Sequence, residues 1–256
     1  MCEFFSFCSN DEGRPLYFNA EQRREIMEEY KFKRLCYKPD SHTSIAHYYG
    51  YLKENEDFLG KYEYNPLTQN FKIDNIGRVD NVKEMKKWVK ELDFKTIVPE
   101  LIIKPIVNPL KIEPPKIEKE QIKLLKQWIS VRILIGNPAE DSVGTSDKDL
   151  VWTSVGASVL ALVGDSVWTS VEASVWASVR DLVEASVLAS VRDSVWASVR
   201  NSVEDSVWAY CSSFFNIKFA YDFSSAIKLW EQGFVPYFDG KFWYLFSKKG
   251  IEWKGK

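Results

Sequence analysis

The stretch Ser186–Tyr210, SVLASVRDSVWASVRNSVEDSVWAY, repeats a four-residue word, and its reading decides the fold of the chain. Valine holds every fourth position from Val151 to Val207, fifteen times in all. The residue before it is serine or leucine, the residue after it ranges over Trp, Arg, Glu, Gly and Leu, and the remaining slot takes only Ala, Asp, Thr or Asn. The register extends upstream through Val131, Ile135, Ala139 and Val143 and downstream through Cys211, Phe215, Phe219, Phe223 and Ile227. This predicts one lattice over 129–227 whose fixed slot faces a core.

On a helix of 3.6 residues per turn, a stripe of period four drifts by about 40° per repeat and circles the helix in about nine repeats. No straight bundle seam holds such a stripe. In extended chain, residues two apart share a face, so valine and the small slot point one way while serine and the variable slot point the other. A chain that must turn at regular intervals then forms a narrow β-solenoid with rungs stacked by backbone hydrogen bonds. The order Ala-Ser-Val-Trp resembles the pentapeptide-repeat family, with one residue fewer per side and valine where that family has leucine or phenylalanine. The expected fold class is therefore mainly β, with a right-handed supercoiled helical repeat as the alternative.

In the solenoid reading Trp152, Trp168, Trp176, Trp196 and Trp208 stand outward with Arg180, Arg192 and Arg200 and form a candidate binding surface. Open rungs need caps. Upstream, EKEQIKLLKQW (118–128) reads as an amphipathic helix, preceded by a proline-rich connector from residue 99. Downstream, residues 228–256 read as a cap: SSAIKLWEQG ends a helix at Gly233, and FVPYFDGKFWYLF forms a hairpin about Asp239-Gly240. Both faces of that hairpin are apolar, which predicts homodimerisation through it.

Residues 1–98 read as a small α+β domain. CEFFSF and PLYFN are strands about a turn, AEQRREIMEEY and SHTSIAHYYGYL are helices, KYEYNPLTQNFKID is a hairpin, and NVKEMKKWVKEL is a helix. Two catalytic constellations are candidates here. Removal of Met1 exposes Cys2 as an N-terminal nucleophile with its own amine as base. That opening resembles the class II glutamine amidotransferases, although EFF stands where they carry glycine. The second group, Cys36, Asp40, His42 and His47, supplies a thiol–imidazole pair of Cys36 and His42. The five-residue spacing of its histidines departs from the i, i+4 pattern of helical zinc ligands, so neither metal nor cofactor is expected.

The chain has 256 residues, a formal charge of −2 and four cysteines without paired spacing. These numbers argue against a disulfide framework and against direct nucleic-acid binding, which needs a clustered basic excess. With neither a basic leader nor a membrane-length apolar run, a cytoplasmic, membrane-free protein is expected. MCEFFSF, PDSH, EYNPLT and the valine array together resemble uncharacterised proteins of bacteriophages and uncultured bacteria, which implies a phage or mobile-element setting. The expected function is a non-enzymatic interaction or scaffold protein with a protein partner. The alternatives are a nucleic-acid-mimicking inhibitor of a DNA-handling enzyme, suggested by the acidic repeat, and a hydrolase or amidotransferase-like enzyme using Cys2.

Overall fold

The computed structural model describes residues 5–33, 41–51, 55–136, 151, 155, 159, 168, 171–177, 186–187 and 196–256. The chain divides into two compact units, Met1–Ile103 with Leu160–Val171, and Lys104–Val159 with Glu172–Lys256.

In the first unit, β1 (Phe5–Ser9), β2 (Pro15–Leu16), β3 (Gly60–Asn65) and β4 (Asn70–Asn75) form an antiparallel sheet in the order β2-β1-β3-β4. Strand alternation gives the sheet two unlike faces. Phe5, Phe7, Tyr62 and Phe71 fill one of them, and Trp88 of α3 (Val82–Glu91) packs its ring 5.1 Å from Phe7. On the other face Cys8 joins Leu16, Phe18, Ile26 of α1 (Ala20–Lys33), and Ile45 and Ala46 of α2 (His42–Tyr48) in a buried cluster. Helix α1 begins with a reciprocal cap, in which the Asn19 and Gln22 side chains each accept the other's backbone N–H at 2.9 Å. Ser41 caps α2 by accepting from the Ser44 amide, which fixes His42 as the first residue of that helix.

The second unit contains α4 (Lys119–Gly136), α5 (Trp196–Ser212), α6 (Ser224–Glu231) and an antiparallel meander of β5 (Val235–Phe238), β6 (Trp243–Ser247) and β7 (Gly250–Gly255). Helix α5 packs on β5 and α6, and α4 packs on α6. The predicted hairpin about Asp239-Gly240 is present, with Gly240 at φ +90°. Pro236 lies in β5, an edge strand that tolerates a missing N–H. The proline-rich connector is tied down by two buried aromatics. Its Val107 N–H donates to the Tyr210 hydroxyl and its carbonyl accepts from Trp230 Nε1, both at 2.9 Å.

The described residues of the repeat are helical, which overturns the mainly β class, the β-solenoid and the structural likeness to pentapeptide repeats. Val151, Val155, Val159, Trp168, residues 171–177 and 186–187 and all of α5 are helical, and the described sheets have only four and three strands. Every valine of the fixed slot whose burial is described is buried: Val151, Val155, Val159, Val171, Val175, Val187, Val203 and Val207. The drift is resolved on α5 by burying more than one side. Ser202, Val203, Asp205, Ser206, Val207 and Ala209 are all buried, although they spread over an arc of about 200° around the helix.

Serine, assigned outward in the extended reading, enters the interior because the helix satisfies it. Ser206 Oγ donates to the Val203 carbonyl at 2.7 Å and Ser212 Oγ to the Ala209 carbonyl at 2.6 Å. No Gly or Pro stands between Asp165 and Gln232, so the sequence contains no helix breaker within α5. The single lattice expected over 129–227 also fails at its downstream end. Helix α5 stops at Ser212, and α6 buries Ser225, Ala226, Leu229 and Trp230, while the register slot at Ile227 is only partly buried.

Candidate functional site

Of the candidate catalytic residues, Cys2, Cys36 and Asp40 lie outside the described residues. His42 is described, and its neighbours are carboxylates. Its Nε2 lies 2.9 Å from the Tyr62 carbonyl, which can only accept, so Nε2 carries the proton and donates. Its Nδ1 then faces Asp74 Oδ2 at 3.6 Å. Glu63, 1% exposed in the central strand β3, stands beside them, and Lys72 Nζ bridges Glu63 Oε2 at 3.0 Å and Asp74 Oδ1 at 2.8 Å. The potential ligand atoms of His42, Glu63 and Asp74 all lie within 4.8 Å of one another, and His47 is not among them.

The electrostatics of this group follow from its charges. Hydrogen bonds to Asp74 and then Glu63 hold the Lys72 ammonium above the ordinary lysine range. Burial raises Asp74, but Lys72, with a smaller contribution from His42, outweighs it and leaves the carboxyl below its usual value. The group thus gathers two carboxyl side chains, one ammonium and one imidazole. The motif reading grouped His42 with Cys36 because they are near in sequence. The better signal was the hairpin 61–74, where strand alternation places Glu63, Lys72 and Asp74 on one face.

The described thiols are shut away. Cys8 is buried among apolar side chains and burial pushes it up to about 12. Cys211 is completely buried, which raises it well above the ordinary thiol value. Neither has the depressed pKa of a nucleophile.

A second candidate lies in the other unit. Helix α4 buries Gln121, Leu124, Leu125, Trp128 and Ile135 on one side, and its opposite side carries Lys119, Ile122, Lys123, Lys126, Ser130 and the exposed Ile133. Together with Ile117 and Trp253 of β7, this second side lines an open groove of about 740 Å³. Its floor is Ile117, Ile122 and Trp253. Among the described residues, Lys119, Lys123 and Lys126 have no ion-pair partner and Glu118 is the one acidic residue in the lining.

The tryptophan–arginine surface is placed differently from the solenoid reading. Trp168 is buried, Trp176 is half-buried, and half-buried Trp208 donates its Nε1 to Glu172 at 3.3 Å. Arg200 pairs with Glu204 at 3.1 Å, one turn along the same helix. Trp152, Arg180 and Arg192, and the side chain of Trp196, lie outside the described residues. No helix among the described residues is long and apolar enough to cross a membrane.

No protein-family model matches the chain, and no curated protein or solved structure matches it.

Proposed function

We propose that the chain is a non-enzymatic interaction protein whose C-terminal unit grips an acidic, amphipathic segment of a protein partner in the groove between α4 and β7. The observation that carries this reading is the pairing of three unneutralised lysines with an apolar floor on a helix whose other side is already packed. A partner helix with carboxylates on one edge and leucine or isoleucine on its face satisfies both: the side chains cover Ile122 and Trp253, and the carboxylates meet the lysine row.

The test is fluorescence anisotropy of a labelled synthetic peptide carrying alternating pairs of Glu and Leu, titrated with the full chain. Binding is expected to weaken with salt and to fall at least tenfold in K119E/K123E/K126E and in W253A. A peptide that fails to bind, or that binds the charge-reversed protein equally well, overturns the proposal.

A further inference from the structure

We propose that His42 Nδ1, Glu63 and Asp74 form a binding site for one divalent first-row transition-metal ion in the N-terminal unit, with the Lys72 ammonium occupying the cation position in its absence. This site is separate from the α4–β7 groove and does not depend on it.

The first support is the histidine's orientation. The Tyr62 carbonyl engages Nε2 at 2.9 Å, which points Nδ1 at a carboxylate oxygen 3.6 Å away. That distance exceeds a hydrogen bond and lies within the span of two ligand atoms on one ion. A carbonyl that fixes one ring nitrogen so that the other can ligate is the usual outer support of a metal-bound histidine.

The second support is Ser6. In the ladder Ser6 of β1 stands directly opposite Glu63 of β3, so its side chain leaves the same face of the sheet. It is 2% exposed, and its hydroxyl has no hydrogen-bond partner. A buried hydroxyl without a partner beside a buried carboxylate fits a ligand that brings water with it. A metal held by three protein groups keeps such water in its remaining positions.

Geometry and donor chemistry agree with this assignment. One imidazole nitrogen and two carboxylate oxygens suit manganese, iron or zinc better than calcium, which prefers oxygen alone, or copper(I), which prefers sulfur. Ligand atoms about 2.1 Å from one ion are at most about 4.2 Å apart, so the 4.8 Å spread must contract slightly on loading. Glu63 is fixed in the central strand. Asp74 lies on the edge strand β4, and the Lys72 side chain, 46% exposed, can swing to solvent as the ion enters.

The test is equilibrium binding of Mn²⁺ to the full chain, read by loss of the free-ion electron paramagnetic resonance signal. Manganese is chosen because it has little affinity for the four cysteines. One ion per chain is expected, with affinity at least tenfold weaker in H42A and in D74N and severalfold tighter in K72M, which removes the competing ammonium. H47A, outside the cluster, serves as control and binds as the parent does. Circular dichroism verifies that each variant is folded, and D74N on the exposed edge keeps the test usable if H42A is not. Absence of stoichiometric binding overturns the site, as does binding that is unchanged in the folded D74N or H42A protein or not tightened in K72M.

Discussion

Arg132 of α4 and Asp205 of α5 meet at 2.6 Å, guanidinium Nε to carboxylate Oδ2, with the Asp205 side chain 5% exposed. This ion pair joins the helix that precedes the valine array to the helix that ends it, and the Arg132 guanidinium also lies 5.5 Å from the centre of the Trp243 ring. Asp205 occupies the small slot of the repeat, the slot filled elsewhere by alanine. Removing arginine leaves a buried carboxylate without its cation, whereas an amide in place of the carboxylate removes the charge together with the need for it. R132A is therefore expected to lose about 2–4 kcal/mol of unfolding free energy and D205N clearly less. Urea denaturation of both variants checks the order, and a larger loss in D205N contradicts the argument.

Ser202 and Ser206 are the same letter of the same word, yet they do different things. Ser206 donates within its own helix, so alanine there removes both the hydroxyl and its need for a partner, and alanine is also the better helix former. Ser202 Oγ accepts the Phe238 N–H of β5 at 2.8 Å, which ties α5 to the sheet. S206A is expected to change stability by less than about 0.5 kcal/mol, and S202A to cost about 1–3 kcal/mol by leaving a backbone N–H unpaired. Equal effects in thermal or urea unfolding show that position in the word, and not packing context, governs these serines.

That contrast explains which parts of the fold were legible. Turns and helix boundaries could be read because their causes are local: Ser41 before α2, the Asp239-Gly240 turn, and the alternation that sets Phe5 and Phe7 against Ser6 and Cys8. The repeat was misread because period four is near the helical 3.6 and is also a whole multiple of the strand period of two. What resolves it is non-local, namely the burial of several sides of α5 at once and the serine bonds to carbonyls three residues back. The polar cluster was half legible. His42 was singled out, but its companions Glu63 and Asp74 are brought to it by pairing of β3 with β4. The groove was hidden because an apolar residue of an amphipathic helix is expected to be buried, whereas Ile122 is only partly buried and lines the groove beside the buried Leu125 and Trp128.

Cys8 and Cys211 provide a direct check on the interior of each unit. Burial is the main cause that raises both thiols, Cys8 to about 12 and Cys211 well above the ordinary thiol value, which keeps them protonated at neutral pH. Alkylation of the native protein at pH 8, read by mass spectrometry, is expected to be slow at both and to accelerate by orders of magnitude once urea passes the unfolding midpoint. Rapid modification of Cys211 without denaturant contradicts the packing of α5.

Asp239 makes the C-terminal hairpin sensitive to acid. Its Oδ1 accepts from the Lys241 N–H at 2.8 Å and the Phe242 N–H at 2.7 Å, and its Oδ2 accepts from the Tyr244 hydroxyl at 2.7 Å. Burial raises the carboxyl, but these bonds and Lys254 outweigh it and leave the group below the usual aspartate range, while burial and Asp239 together push Tyr244 up to about 12. A folded-state pKa below the unfolded one means that the carboxylate contributes stability above the unfolded value, near 4, and loses it as pH falls through the lower folded value. At pH 7, D239A is expected to be about 1–2 kcal/mol less stable than the parent. The gap should hold between pH 6 and 8 and narrow below about pH 4, as protonation costs the parent the stability that the alanine variant already lacks. D239N, which keeps an acceptor for the two backbone N–H groups, should fall between them at pH 7 and show a weaker acid dependence. Urea titrations of the three proteins at pH 7 and near pH 3 measure this, and a parent-to-alanine gap that stays constant or widens in acid removes the carboxylate from the turn's energetics.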